Sequence, residues 1–166
     1  IWSADKPLHP NRNEQRKLKN ARMQDYSYDE EFAPVAFVAL LKKLYDRKQH
    51  PRSFSDEALL RFMHTLHSCG LLHQCNLQRE GRIVSSNLVF GTGSGTAYAV
   101  LGATDKEDMK KGASSLQTVE MLNALKDRYS TVDLCGGNVP EVGQFKASLG
   151  LELKCFFRIA GRTGLL

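Results

Sequence analysis

Along this 166-residue chain the spacing of apolar positions alternates between the period of a helix and that of a strand, and the switches divide it into elements. Over Phe32 to Lys48 apolar residues recur at 37, 40, 41 and 44, one face of a helix, with Pro34 near its start and His50-Pro51 as its end. Ser55 opens a second helix with Leu59, Leu60, Phe62, Met63 and Leu66 turned inward and Gly70 as its C-cap residue. The pattern then becomes extended. Leu71–Gln78, Ile83–Phe90 and Thr96–Ala103 are separated by a hairpin signal at 79–82 and by a glycine-rich turn at 91–95, which predicts a three-stranded antiparallel meander. After a polar stretch at 105–111, Ser114 with Gln117 forms a capping-box pattern ahead of the stripe Leu116, Val119, Leu122 and Leu125. Thr131–Cys135 reads as a short buried strand, and 138–150 as a short helix carrying Phe145, Lys146 and Leu149. Alternation at 151, 153, 155, 157 and 159 predicts a last strand. Ahead of all this lie a short strand at Tyr26–Tyr28 and a polar helix capped by Asn11 or Asn13, with Leu18, Ala21 and Met23 as its thin apolar stripe. The order is strand, two helices, meander, helix, strand, helix, strand, which argues a mixed α/β (α+β) sheet.

With 42% hydrophobic and 25% charged residues, the chain is long enough to bury one core without a metal or disulfide staple. Ordinary composition excludes a disordered chain, a collagen or a coiled-coil rod, and no apolar run approaches a membrane span. The net charge of +5 changes the picture more, because residues 6–22 carry Lys6, Arg12, Arg16, Lys17, Lys19 and Arg22 against Glu14 alone. That stretch accounts for the whole excess and leaves a neutral body. It reads either as an arm for a polyanion such as RNA or as a solvated helix resting on a neighbouring domain. No aromatic residue lies within it to stack on bases. Cys69, Cys75, Cys135 and Cys155 form no metal-binding or disulfide pattern, so buried free thiols in a reducing cytoplasm are expected. His64 and His67 lack an acidic or thiol companion and read as surface histidines; no metal site is expected. Gly91, Gly93 and Gly95 precede a strand rather than a helix, so they make a hairpin turn and not a phosphate loop.

The order of elements resembles the acetyltransferase fold of the GNAT superfamily. Within it, Val132–Gly137 (Val-Asp-Leu-Cys-Gly-Gly) and Gly143–Gly150 (with Phe145-Lys146 and Leu149-Gly150) resemble the ending of FemAB-like peptidyltransferases and their GNAT-like acyltransferase relatives. The basic run Arg16–Arg22 is similar to the helix that enters the C-terminal lobe of those proteins. The resemblance spans residues 11–160. It implies a basic arm at 1–24 and a GNAT-like domain at 25–166, the second lobe of a two-lobe protein, which would account for a start at Ile1. It also implies N-acyl transfer to an amine, for example on a cell-envelope precursor. The donor would be either an acyl-coenzyme A or an aminoacyl-tRNA, with no permanently bound cofactor. A first lobe or a second copy of the chain is the implied protein partner.

Site residues follow from the same resemblance. The donor lies where the fourth and fifth strands splay, held by the fourth strand at Tyr98, Val100 and Leu101. A coenzyme diphosphate would meet the start of the next helix at Lys110, Lys111, Gly112, Ala113 and Ser114, where free N–H groups favour an anion. Only Gly112 meets the family pattern there, since Met109 and Ser114 replace its polar and small residues. Phe145 is implied as a donor contact, and Lys146 as the cation that stabilises the oxyanion. Asp133 is implied either to orient the amine or to cap the turn at Gly136. Cys135 has no assignable base, which favours direct attack by the acceptor over an acyl-enzyme. A non-catalytic binding module of the same fold is the competing reading.

Overall fold

The computed structural model describes residues 1–49 and 51–154. Its elements in chain order are β1 (Trp2–Ser3), α1 (Arg12–Arg22), β2 (Tyr26–Asp29), α2 (Pro34–Lys48), α3 (Asp56–Ser68), β3 (Leu72–Arg79), β4 (Arg82–Gly91), β5 (Thr96–Thr104), α4 (Lys106–Lys110), α5 (Ala113–Leu125), β6 (Thr131–Asp133) and α6 (Pro140–Ser148). Six strands form one sheet in the order β1-β6-β5-β4-β3-β2, antiparallel except for β5 with β6. Because strand side chains alternate between faces, the sheet is covered on both sides. On one face Phe37, Leu41 and Met63 of α2 and α3 meet Leu72 and Leu88. On the other, Met121, Leu122 and Leu125 of α5 meet Cys75, Val89 and Val132. The mixed α/β expectation and the predicted meander are both realised.

The basic N-terminal helix is docked in this framework. Asn11 caps α1 through its side chain, and Leu18 and Ala21 join Ala113, Leu116 and Leu149 in a third apolar cluster. The one acid of the segment is the polar anchor: Glu14 is 2% exposed, accepts a hydrogen bond from Ser115 Oγ at 2.6 Å and pairs with Lys17 at 2.5 Å. The backbones meet most closely at Gly112, where φ is +89° and a Cβ would stand 2.6 Å from the Lys17 carbonyl oxygen. Only glycine tolerates both conditions.

Several local expectations are corrected. The capping box at Ser114 does not form: Gly112 takes the N-cap position without a side-chain bond, Ser114 Oγ donates to Thr104 Oγ1 and Gln117 donates to the Cys75 carbonyl. Phe62 is 48% exposed because it lies off the buried stripe of α3, and Met23 68% because it follows the last turn of α1. Cys69 is exposed, as it lies past the last turn of α3. The polar stretch before α5 holds the short α4, capped by Asp105, and β1 is an additional strand. Of the expected last strand, residues 151–154 carry no strand and the remainder lies outside the described residues.

Two stability measurements check this packing. Gly81 also has a positive φ, but open space surrounds it, so Gly81→Ala should cost about 1–2 kcal/mol in urea unfolding. Gly112→Ala adds a backbone clash and should cost about 3 kcal/mol or more; equal costs would contradict the close approach. Burial, the largest influence on the Glu14 carboxyl, pushes its pKa up, but Lys17 and Ser115 outweigh it and hold the group below the ordinary glutamate value. A lowered folded-state pKa gives stability that is present above the unfolded value and lost as pH falls through the folded one. Glu14→Gln should therefore flatten the acid limb of a stability–pH curve in that window, and an unchanged limb would contradict the pairing.

Candidate active site

The parallel ladder between β5 and β6 is short: Thr96 faces Thr131, Ala97 faces Val132 and Tyr98 faces Asp133, and there it ends. β5 runs on to Thr104, paired with β4 on its other side. Among the described residues, the edge of β5 from Ala99 to Thr104 therefore lies open, in the splay expected from the resemblance. The register of β4 against β5 slips between Leu88 and Val89, so that Leu88 faces Leu101, Val89 faces Ala99, and Val100 is left as a bulge, 41% exposed. A bulge increases local twist and redirects backbone groups. Such an edge offers N–H and C=O groups to an extended ligand, as in strand addition. Leu101 packs partly against the α2–α3 core.

At the mouth of the splay, just beyond Asp133, the chain turns sharply through positive φ at Cys135 (51°) and Gly136 (62°). Asp133 Oδ1 accepts the Cys135 N–H at 2.7 Å, so its carboxylate caps this turn. Lys146, from α6, donates to the Leu134 carbonyl at 2.5 Å and to that of Cys135. An ammonium has three donors, so one N–H remains uncommitted by these two bonds. Burial lowers the Lys146 pKa. It raises that of Cys135, with the Asp133 charge acting in the same sense.

The start of α5 is arranged differently from an open anion cradle. Gly112 and Ala113 are buried under α1, and the Ser114 hydroxyl is bonded to Thr104. Glu14 already places a carboxylate beside Ser115. Lys110 is paired with Glu107 at 2.9 Å; Lys111 is half-buried and, among the described residues, has no ionic partner. Phe145 packs into the cluster of Leu18, Leu116 and Leu149. The structure thus gathers Tyr98, Asp133 and Lys146 at the mouth and Val100 and Leu101 along β5; Gly112, Ala113 and Phe145 are built into the packing around α1, Ser114 is tied to Thr104, and Lys110 stays on the surface with Glu107.

The sequence reading missed a buried polar network on the α2 side. The Gln74 side chain accepts from Ala33 N–H at 3.0 Å and donates to the Ala33 carbonyl at 3.2 Å, which fixes both backbone groups of the residue that opens α2. Asn76 donates to Asp29 and to the Glu31 carbonyl and accepts from Ser86. The signal was present, as amides at 74, 76 and 78 occupy one face of a strand whose neighbours are buried. Also missed was Asp108, fully buried, which pairs with Arg79 at 3.1 Å and accepts from Tyr26 Oη at 2.8 Å. Among the described residues no cluster of His, Cys, Asp or Glu could hold a metal, and no helix is long and apolar enough to cross a membrane.

Comparison with known proteins agrees with this geometry. In overall shape the chain is similar to FemX (TM-score 0.72, 14% identity), matching 89% of this chain and 57% of that one. It is also similar to a possible acetyltransferase from Clostridium difficile 630 (TM-score 0.63, 10% identity, 84% of this chain and 98% of that one). A predicted acetyltransferase from Clostridium acetobutylicum, solved with acetyl-CoA, matches with a TM-score of 0.59 at 12% identity over 84% and 96% of the two chains. No curated protein matches the sequence. The family model described as acetyltransferase (GNAT) domain matches residues 11–146, and the chain belongs to that family.

Proposed function

We propose that this domain is an N-acyltransferase that moves an acyl group from a coenzyme A thioester to an amine, with the pantetheine arm of the donor lying along β5 in the splay. The observation that carries this reading is the end of the ladder at Tyr98 and Asp133, which leaves Ala99 to Thr104 with an open edge among the described residues. The two amides of a pantetheine arm can pair with such an edge, and family membership supports the donor class. In the transfer, the amine nitrogen forms its bond to the thioester carbon, the carbon–sulfur bond breaks, and the amine proton ends on the departing thiol. Lys146 directs its remaining N–H at the oxyanion that develops between these two events. Holding donor and acceptor together supplies the larger share, about 7–11 kcal/mol in well-oriented cases. A raised pKa leaves Cys135 little thiolate, which disfavours an acyl-enzyme.

The acceptor is an amine on a cell-envelope precursor and the chain is the second lobe of a two-lobe protein; the extent of the match to FemX, 57% of that chain, supports the second point. The free thiols of Cys69, Cys75 and Cys135 suit the cytoplasm. The covered first turn of α5 favours a second reading of the donor, one that brings no coenzyme diphosphate to that helix, such as an aminoacyl-tRNA.

Two measurements test the site. Acetyl-CoA and S-acetylpantetheine should bind within about threefold of each other, because a diphosphate held at the helix end would add about tenfold or more. A large preference for the coenzyme would restore residues 110–114 as its cradle, and binding of neither would leave the tRNA donor. Lys146→Met, which also removes two bonds to the turn, should lower kcat about 100-fold and raise the donor KM, whereas Asp133→Asn, which keeps the turn-capping oxygen, should leave turnover within about twofold. An active Lys146→Met enzyme, or an inactive Asp133→Asn enzyme of normal stability, would contradict the assigned roles.

A further inference from the structure

An open groove of about 710 Å³ lies between α1, α5 and the N-terminal strap that joins β1 to α1. It shares no residue with the candidate active site. Trp2, Leu18 and Val119 form its apolar floor, and Lys6, Lys19, Arg22 and Lys126 stand around it, with no acidic side chain in the lining among the described residues. All four cations are exposed, and among the described residues none has an ionic partner. The walls are fixed. Trp2 pairs with Val132 and its ring N–H donates to the Lys6 carbonyl at 3.1 Å, Asn11 N–H donates to the Ser148 carbonyl at 2.8 Å, and Pro7 and Pro10 stiffen the strap between them.

We infer that this groove binds a small amphiphilic anion, a single acyl chain or flat apolar body carrying a phosphate or carboxylate headgroup. Its volume is that of a small-molecule site. The floor takes the apolar body, and cations from three separate elements converge on the charged end, where a bound anion replaces missing partners. The net charge of the chain is concentrated in the segment that builds two of these elements, and Glu14, the one acid there, is turned into the core and does not offset it.

Trp2 is the sole tryptophan and lies in the floor, so its emission reports occupancy directly. Titration of the chain with dodecyl phosphate below its micelle concentration should give a saturable change, weakened about tenfold or more in Lys19→Glu/Arg22→Glu, whose two exposed side chains make no hydrogen bond within the chain among the described residues. Circular dichroism of the variant checks its fold, and high salt should weaken binding to the unaltered chain in the same direction. Dodecyltrimethylammonium and inorganic phosphate should each fail to compete at equal concentration. The inference is overturned if dodecyl phosphate produces no saturable change, if the cationic amphiphile binds as well, if phosphate alone competes equally, or if anionic vesicles bind where the monomeric amphiphile does not.

Discussion

The arrangement of this domain depends on where one backbone ladder stops. A parallel pair held by three facing residues is a minimal junction, yet it joins β6 and, through it, β1 to the four-stranded antiparallel part of the sheet. Had it continued, the β5 edge would be consumed by β6. Because the chain beyond Asp133 turns through Cys135 and Gly136, with the turn held by the Asp133 carboxylate and the Lys146 ammonium, the strands part at that point. The same two side chains that look like catalytic groups in isolation therefore also shape the opening. For Asp133 the capping bond accounts for the residue; for Lys146 a third donor is left uncommitted by its two bonds to the turn.

A second constraint is the docking of α1. A helix this basic would be expected to stay in solvent, and its thin stripe of Leu18 and Ala21 is a weak anchor by itself. The buried Glu14 changes that balance, since a carboxylate removed from water is stabilised only when bonded, and Ser115 and Lys17 supply the bonds. The consequence for function is that the start of α5 receives its negative charge from within the chain. The basic groups of α1 are left facing outward, over a groove of their own.

Much of the fold could be read from periodicity. The amphipathic spacings of α2 and α3, and the turns at Gly81 and at 91–95, are local signals that tertiary packing did not override. What escaped had no local signal. The Val100 bulge is invisible in a run of strand-forming residues, because it arises from the fit of β4 to β5. The Ser114–Gln117 pattern misled because Gly112, under α1, takes the cap position and the sheet takes both side chains, Ser114 at Thr104 of β5 and Gln117 at the Cys75 carbonyl of β3. Glu14 looked like a minor offset in a basic run, since nothing within four residues foretells a hydroxyl supplied from α5, 101 positions on. In the candidate site, the splay strand and Lys146 were named through resemblance; the cover over Gly112 and Ala113 required the structure.

Amide hydrogen exchange of the chain, with and without a non-transferable thioether analogue of acetyl-CoA, tests the central claim most directly. Occupancy of the splay predicts new protection at the amides of β5 between Ala99 and Thr104, with little change in the first turn of α5. Protection confined to other segments, with these β5 amides unchanged by saturating analogue, would contradict the account.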